Sequence, residues 1–285
     1  MITPCPGCGG IAVEAPVLGQ LARCRTCGLV YLPRTPDLPR RIAELYEGNY
    51  LTGAEFGDYA SQHVTFARNF RAYLRRMQRA GATGGRLLEV GCAYGFFLEQ
   101  AQASFEVTGI DVNEAAIAAA RSLGVPAICG DFLAFAPDAP YDVVCLWDTV
   151  EHLLEPRAYL DKARAVLRDG GWLFLTTGDI GSAVARLRGP RWRMIHPPSH
   201  VNYFSRRSIS GLLAQTGFEV RSIAPIGTSR DLRNVLHLLS LLSRRALVRR
   251  MAAAGERLTS GLPSVGVYLN LRDIMFVTAR AGERR

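Results

Sequence analysis

Short apolar runs separated by stretches of helical periodicity dominate the chain from residue 86 onward. RLLEVG, FEVTGI, VPAICG and YDVVCLW carry almost no polar alternation, which predicts strands buried on both faces. Between them apolar residues return every three to four positions, predicting one helix from about Tyr94 to Ala103 and another over AAIAAARSLG, ended by Gly124. Pro156 opens a further helix to Leu167, Asp169-Gly170-Gly171 predicts a turn, and WLFLTT predicts a fifth strand. GFEVRSIAP and DIMFVTAR predict two more, with a helical insert at about residues 231–254 between them. The expected fold is α/β: a Rossmann-like, seven-stranded, mostly parallel sheet with helices on both faces.

The first 84 residues follow other rules. RIAELYEGNY and the run from Tyr59 to Arg79 are helical in period, and Gly81 to Gly85 breaks the helix before the first strand of the sheet. Pro33, Pro36 and Pro39 mark a linker. Ahead of it Cys5, Cys8, Cys24 and Cys27 form two C-x2-C knuckles, CPGCGG and CRTCGL, joined by a hairpin around Val13 to Leu21. This spacing suits four thiolates on a structural Zn2+ ion, and a module below about 40 residues needs such a metal to fold. The division is therefore a zinc ribbon over 1–32, linker and helices over 33–84, and the α/β domain over 85–285. Cys92, Cys129 and Cys145 lie in apolar contexts that suit small core residues.

Composition narrows the picture. With 48% hydrophobic and 9% aromatic residues the chain is a folded globular protein. It has no apolar run of spanning length and no signal-peptide layout, so it reads as cytoplasmic. The net charge of +9 comes almost wholly from Arg, Lys162 being the single lysine. Cys5 to Cys27 holds only Arg23 and Arg25 and no aromatic residue, which argues against a nucleic-acid partner.

The candidate chemistry begins at RLLEVGCAYG, an apolar strand running into a Gly-rich turn, followed by Asp111 at the end of FEVTGID. Such a unit seats a nucleoside: small residues admit the backbone, and the acid accepts from ribose hydroxyls. The turn Gly91-Cys92-Ala93-Tyr94-Gly95 lacks the G-x-G-x-x-G of nicotinamide and flavin domains.

These residues resemble a class I S-adenosylmethionine (SAM)-dependent methyltransferase over about residues 40 to 280. LLEVGCAYG resembles the family's first motif, with Ala93 in place of its middle glycine. GID resembles the ribose-binding acid, CGDF the adenine-side acid, YDVVCLWDTVEHL the fourth strand, and LRDGGWLFLTT the fifth. The resemblance implies SAM contacts from Glu89, Gly91, Cys92, Ala93, Gly95, Asp111, Val112, Asp131, Phe132 and Trp147. Glu89 would attract the ammonium, Asp111 the ribose hydroxyls and Asp131 the adenine amine.

Methyl transfer asks an enzyme to align the acceptor and remove its proton. Of five histidines, His152 follows the fourth strand, while His196 and His200 lie in HPPSHVNYFS; these three are the candidate bases. His63 and His237 fall in helical segments, where packed or solvated roles are expected. Asp148, Glu151 and His152 would share one face of a helix. In the ubiquinone-biosynthesis O-methyltransferases, which this trio resembles, it implies a divalent metal such as Mg2+. HPPSHVNYFS resembles a segment of SAM methyltransferases that act on sugars, quinone precursors and other hydroxylated small molecules. A four-cysteine module followed by this domain is similar to deoxysugar methyltransferases, in which tyrosines ahead of the first strand often close over the cofactor. Tyr203 and Tyr50 are accordingly candidate substrate contacts, with Tyr46 and Tyr59 beside them.

The leading expectation is O-methylation of a sugar or similar small hydroxylated acceptor. The alternatives are C-methylation of a nucleotide-linked deoxysugar, quinone or phenol O-methylation at a membrane surface, and a SAM-binding zinc-ribbon interaction module without catalysis. The segment DLRNVLHLLSLLSRRALVRRM is apolar on one side and Arg-rich, so it suits a pocket cap or homodimer helix, or membrane docking.

Overall fold

The computed structural model of the protein describes residues 4–47, 63–231, 251 and 266–283. At the N-terminal end β1 (Val13–Val17), β2 (Leu21–Cys24) and β3 (Val30–Tyr31) form an antiparallel ribbon. Helix α1 (Leu38–Glu47) follows the proline linker, and α2 (His63–Ala80) lays Phe70, Tyr73, Leu74 and Met77 against the main sheet.

Then β4 (Arg86–Val90), α3 (Phe96–Ala101), β5 (Glu106–Asp111), α4 (Glu114–Ser122), β6 (Ala127–Cys129) and β7 (Tyr141–Trp147) alternate as the periodicity predicts. Helix α4 starts where the Asn113 side chain accepts from the Ala116 amide, and α5 (Pro156–Val166) carries Pro156 in its first turn. Strand β8 (Leu167–Gly178) follows directly. The expected Asp169-Gly170-Gly171 turn lies inside it, because Gly170, at φ 67°, takes up a register shift against β7 between Tyr141 and Val143.

Beyond β8 come elements the periodicity leaves out: α6 (Ala183–Arg188), capped by Ser182, and β9 (Asn202–Tyr203). Helix α7 (Arg206–Gln215) opens on a Ser205–Ser208 capping box and leads into β10 (Phe218–Pro225). Strands β11 (Thr228–Asp231) and β12 (Gly266–Leu269) pair at the base of the expected insert, whose body at 232–250 lies outside the described residues. Strand β13 (Ile274–Ala281) ends the fold.

Among the described residues the main sheet has seven strands in the order β10-β13-β8-β7-β4-β5-β6, with β13 antiparallel to both neighbours. Chain order reverses at β4, which pairs in parallel with β5 on one side and β7 on the other. In open α/β sheets the crevice at such a reversal receives ligands. The ribbon adds an unexpected partner, since β9 joins it as a fourth strand. Cys5, Cys24 and Tyr31 belong to the same apolar cluster as Leu212, Phe204 and the β7–β8 core. No helix among the described residues is long and apolar enough to cross a membrane.

Candidate active site

The Gly-rich turn at the end of β4 is built from left-handed backbone, with φ 75° at Gly91, 44° at Ala93 and 72° at Gly95. Gly91 is required twice over, because a Cβ there would also lie 2.8 Å from Thr149 Oγ1. Ala93, a non-glycine, occupies a conformation that costs an L-residue about 1–2 kcal/mol.

Asp111 closes the turn from the β5 side. Its Oδ2 accepts from the Ala93 amide and its Oδ1 from the Asn113 amide, each at 2.9 Å. A carboxylate offers about four lone-pair sites, so capacity for two hydroxyls remains. Glu89 is 3% exposed and its Oε2 has no hydrogen-bond partner. Burial, and then the charge of Asp111, push Glu89 well above the ordinary carboxylate range. Burial also raises Asp111, against the pull of the Asn113, Ala93 and Val112 amides. Among the described residues no Arg or Lys forms an ion pair with either acid.

At the ends of β5 and β6, Val112, Ile128 and Leu133 stand exposed. Asp131 Oδ1 accepts from the Leu133 amide at 2.9 Å and from Tyr159 Oη at 3.3 Å, and buried Phe132 packs on Tyr159. Cys92 and Cys145 are buried as expected of core residues, whereas Cys129 is exposed. Trp147 sits deeper than a lining residue, stacked on Phe276 at 5.6 Å with Tyr73 and Phe97 against it.

Across the reversal point the chain leaves β7 through Asp148, another non-glycine at positive φ, 46°. Residues 148–152 form a turn instead of a helix, so the i, i+3, i+4 face does not exist. Asp148 Oδ1 accepts from Thr176 Oγ1 at 2.9 Å. The ligand atoms that converge within 4.8 Å are those of Glu151, His152 and His200. Two imidazoles and one carboxylate do not fit Mg2+, which prefers oxygen ligands.

His152 Nδ1 donates to the Ser199 carbonyl and His200 Nδ1 to the Met194 carbonyl, each at 2.9 Å. The rings meet edge to face at 4.6 Å, and exposed His196 lies 5.5 Å from His200. Burial is the main cause that holds His152 down at about 4 and His200 at about 3, so both are neutral at physiological pH. Tyr203 is buried in β9 and donates from Oη to the His200 carbonyl at 2.8 Å. Tyr50, Tyr59 and His237, and the side chain of Tyr46, lie outside the described residues. His63 instead meets Glu99 at 2.6 Å.

Sequence reasoning misses Asn202 and the Asp273 cluster. Asp273, 1% exposed, accepts from Arg193 through both oxygens and from Trp192 Nε1 at 3.0 Å. Partners some 80 positions apart leave no local signal.

The four cysteines converge as their spacing predicts. Sγ atoms of Cys5 and Cys27, and of Cys8 and Cys24, lie 3.6 Å apart. That is too long for a disulfide and close to the roughly 3.8 Å edge of a tetrahedron with 2.3 Å metal–sulfur bonds. Gly9 and Gly28, at φ 71° and 80°, turn the knuckles, and the amides of Gly7 and Cys8 face Cys5, that of Gly10 faces Cys8 and that of Leu29 faces Cys27. The cluster can hold a metal ion.

Comparison with known proteins gives a family profile, described as "Methyltransferase domain", that matches residues 62–223. The chain is 34% identical over 103 residues to a ubiquinone biosynthesis O-methyltransferase of Bordetella avium, a match covering 33% of this chain and 43% of that protein. It thus spans less than half the length of such curated relatives. A SAM-dependent methyltransferase of Archaeoglobus fulgidus shares the fold at TM-score 0.52 and 19% identity, covering 78% of this chain and 98% of that one. So does the magnesium protoporphyrin IX methyltransferase of Synechocystis, solved with bound S-adenosylhomocysteine, at TM-score 0.51 and 13–14% identity across its two structures, 86% and 94% of the chains being covered in the one with that ligand.

Proposed function

The chain belongs to the methyltransferase-domain family, and we propose that it transfers a methyl group from SAM to an oxygen of a small hydroxylated acceptor. The observation that carries this reading is the pairing of buried Glu89 with half-buried Asp111, two acids that have no basic partner among the described residues, beside a backbone cradle. A site of that kind calls for a cationic ligand with hydroxyls. Glu89 would hold the ammonium, Asp111 the two ribose hydroxyls, and Asp131 the adenine amine near Val112 and Phe132. Trp147 would support this surface from beneath.

The bound cofactor supplies a methyl carbon already activated by its sulfonium. The chain's own residues then align the acceptor, exclude water and take up its proton. His200 is the proton acceptor in this reading. Its Nδ1–H is committed to the Met194 carbonyl, which leaves Nε2 unprotonated in the neutral ring. His152, bonded to the Ser199 carbonyl and facing that of Asp148, orients the pair.

The acceptor is a sugar hydroxyl, in keeping with the likeness to ribbon-bearing deoxysugar enzymes, or a quinone precursor or phenol, the class to which the ubiquinone-biosynthesis name of the Bordetella relative points. The cysteine cluster is read as a structural zinc site, because zinc favours four thiolates in a closed tetrahedron. Turnover with SAM against nucleotide sugars, phenols and quinone precursors tests the reading. Formation of S-adenosylhomocysteine with one class assigns the acceptor, and failure to bind S-adenosylhomocysteine at all rejects the cofactor.

A further inference from the structure

The last strand of the ribbon, β3, pairs antiparallel with β9, Val30 against Tyr203 and Tyr31 against Asn202. The Leu32 amide extends this pairing to the Val201 carbonyl at 2.9 Å. The same two residues of the β9 segment face the turn that carries Glu151 and His152. Amides of Val201 and Asn202 donate to the Glu151 carbonyl at 2.9 and 3.0 Å. Asn202 Nδ2 donates to the Leu153 carbonyl at 2.7 Å, and Arg34, just past β3, donates to the carbonyl of Leu154. The turn's own backbone contributes the bond from the His152 amide to the Thr149 carbonyl at 3.0 Å. The start of the turn is tied to the main sheet, where the Asp148 amide donates to Thr176 Oγ1 at 3.0 Å and Thr149 Oγ1 to the Val90 carbonyl at 3.3 Å. Its later part, 151–154, leans on bonds from the ribbon sheet.

We propose that the four-cysteine ribbon positions the His152–His200 pair, and that Asn202 is the residue through which it acts. A strand of two residues such as β9 does not persist alone, and here its edge is supplied by β3. Strand β3 is equally short and is held by β2, Arg23 opposite Val30, one residue from the Cys24 ligand. Support thus passes from the cysteine knuckles to β2 and β3, then to β9, and from Asn202 to the turn. Asn202 is 1% exposed, so its amide serves the interior. His200 lies two positions before it, which ties both rings to one short segment. A ribbon that served only recruitment would need neither the β3–β9 pairing nor the Arg34 bond. The importance of the pair rests on the reading given under Proposed function; the mechanical link stands on the hydrogen bonds.

The test uses the full metal-loaded chain, the same chain stripped with a chelator under reducing conditions, and the metal-loaded variant Asn202→Leu. Hydrogen exchange is followed at 150–154 and 199–203, together with the imidazole Nδ1–H resonances of His152 and His200. Calorimetry gives the affinity for S-adenosylhomocysteine. Stripping is expected to speed exchange in both segments at least tenfold and to abolish the two imidazole resonances. Exchange in β4 and β5, and affinity, should stay within twofold. Asn202→Leu should reproduce the loss with its metal content intact. Unchanged exchange after stripping overturns the proposal, as does loosening spread evenly through β4 and β5, which marks a merely global stabiliser. If the untreated chain fails to bind S-adenosylhomocysteine, the methyltransferase reading falls, while exchange and resonances still decide the positioning role.

Discussion

The carboxylate of Asp111 accepts from the amide of Ala93 at 2.9 Å, so the acid that ends β5 braces the turn that ends β4. One side chain thereby shapes the cradle and, in the proposed complex, receives the ribose. Asp111→Asn removes the charge from both roles. Hydrogen bonds to a charged group contribute about 1.5–3 kcal/mol each, so S-adenosylhomocysteine affinity should fall about 100-fold or more in calorimetry. Unaltered affinity would remove Asp111 from the site.

Glu89 gives a proton-linked signature. Burial keeps its carboxyl protonated above the usual range, whereas a bound ammonium favours the ionised form. Binding should therefore release a proton, and affinity should rise with pH until Glu89 is already ionised in the free protein. Binding enthalpies measured in buffers of different ionisation heat should diverge, and Glu89→Gln should cancel the divergence.

Ala93 offers a test of stored strain. Ala93→Gly removes the penalty of φ 44° and adds unfolded-chain entropy. The balance should be stabilisation of about 0.5–1 kcal/mol in urea unfolding. Ala93→Val should shift the midpoint the other way.

The half-buried imidazoles bear on pH. Burial, then the neighbouring His152 and His196, hold His200 at about 3 in the fold, below its ordinary value of about 6.5. Under pH 6.5 the unfolded chain binds a proton the folded one refuses, so this residue's contribution falls as pH drops from about 6.5 towards 3 at about 1.4 kcal/mol per unit. His200→Gln lacks that slope. The stability gap between wild type and variant should therefore narrow between pH 6.5 and 4.5; a constant gap would show that His200 titrates normally.

Much of the sheet was legible because buried parallel strands leave continuous apolar runs, and each such run from RLLEVG to DIMFVTAR became a strand. The cysteine cluster was legible because ligand spacing is local. Other features depend on distant partners. The fate of Asp169-Gly170-Gly171 turned on the register of β7, and the Asp148 trio failed because the end of β7 enters a turn and not a helix. Glu151 and His200 meet only through a loop 47 positions downstream, between His152 and Ser199. Asn202 carries no motif at all.

The pairing of Val30 with Tyr203 also sets an order of assembly. The cysteine knuckles leave the ribosome ahead of the α/β domain, and the strand that completes their sheet is made roughly 170 residues later, about 10–30 s at ordinary elongation rates. The ribbon must wait, partly built, with its β3 edge open, until the α/β domain has folded far enough to deliver β9. Closure of the ribbon sheet is thus a late event that joins strands made far apart in time.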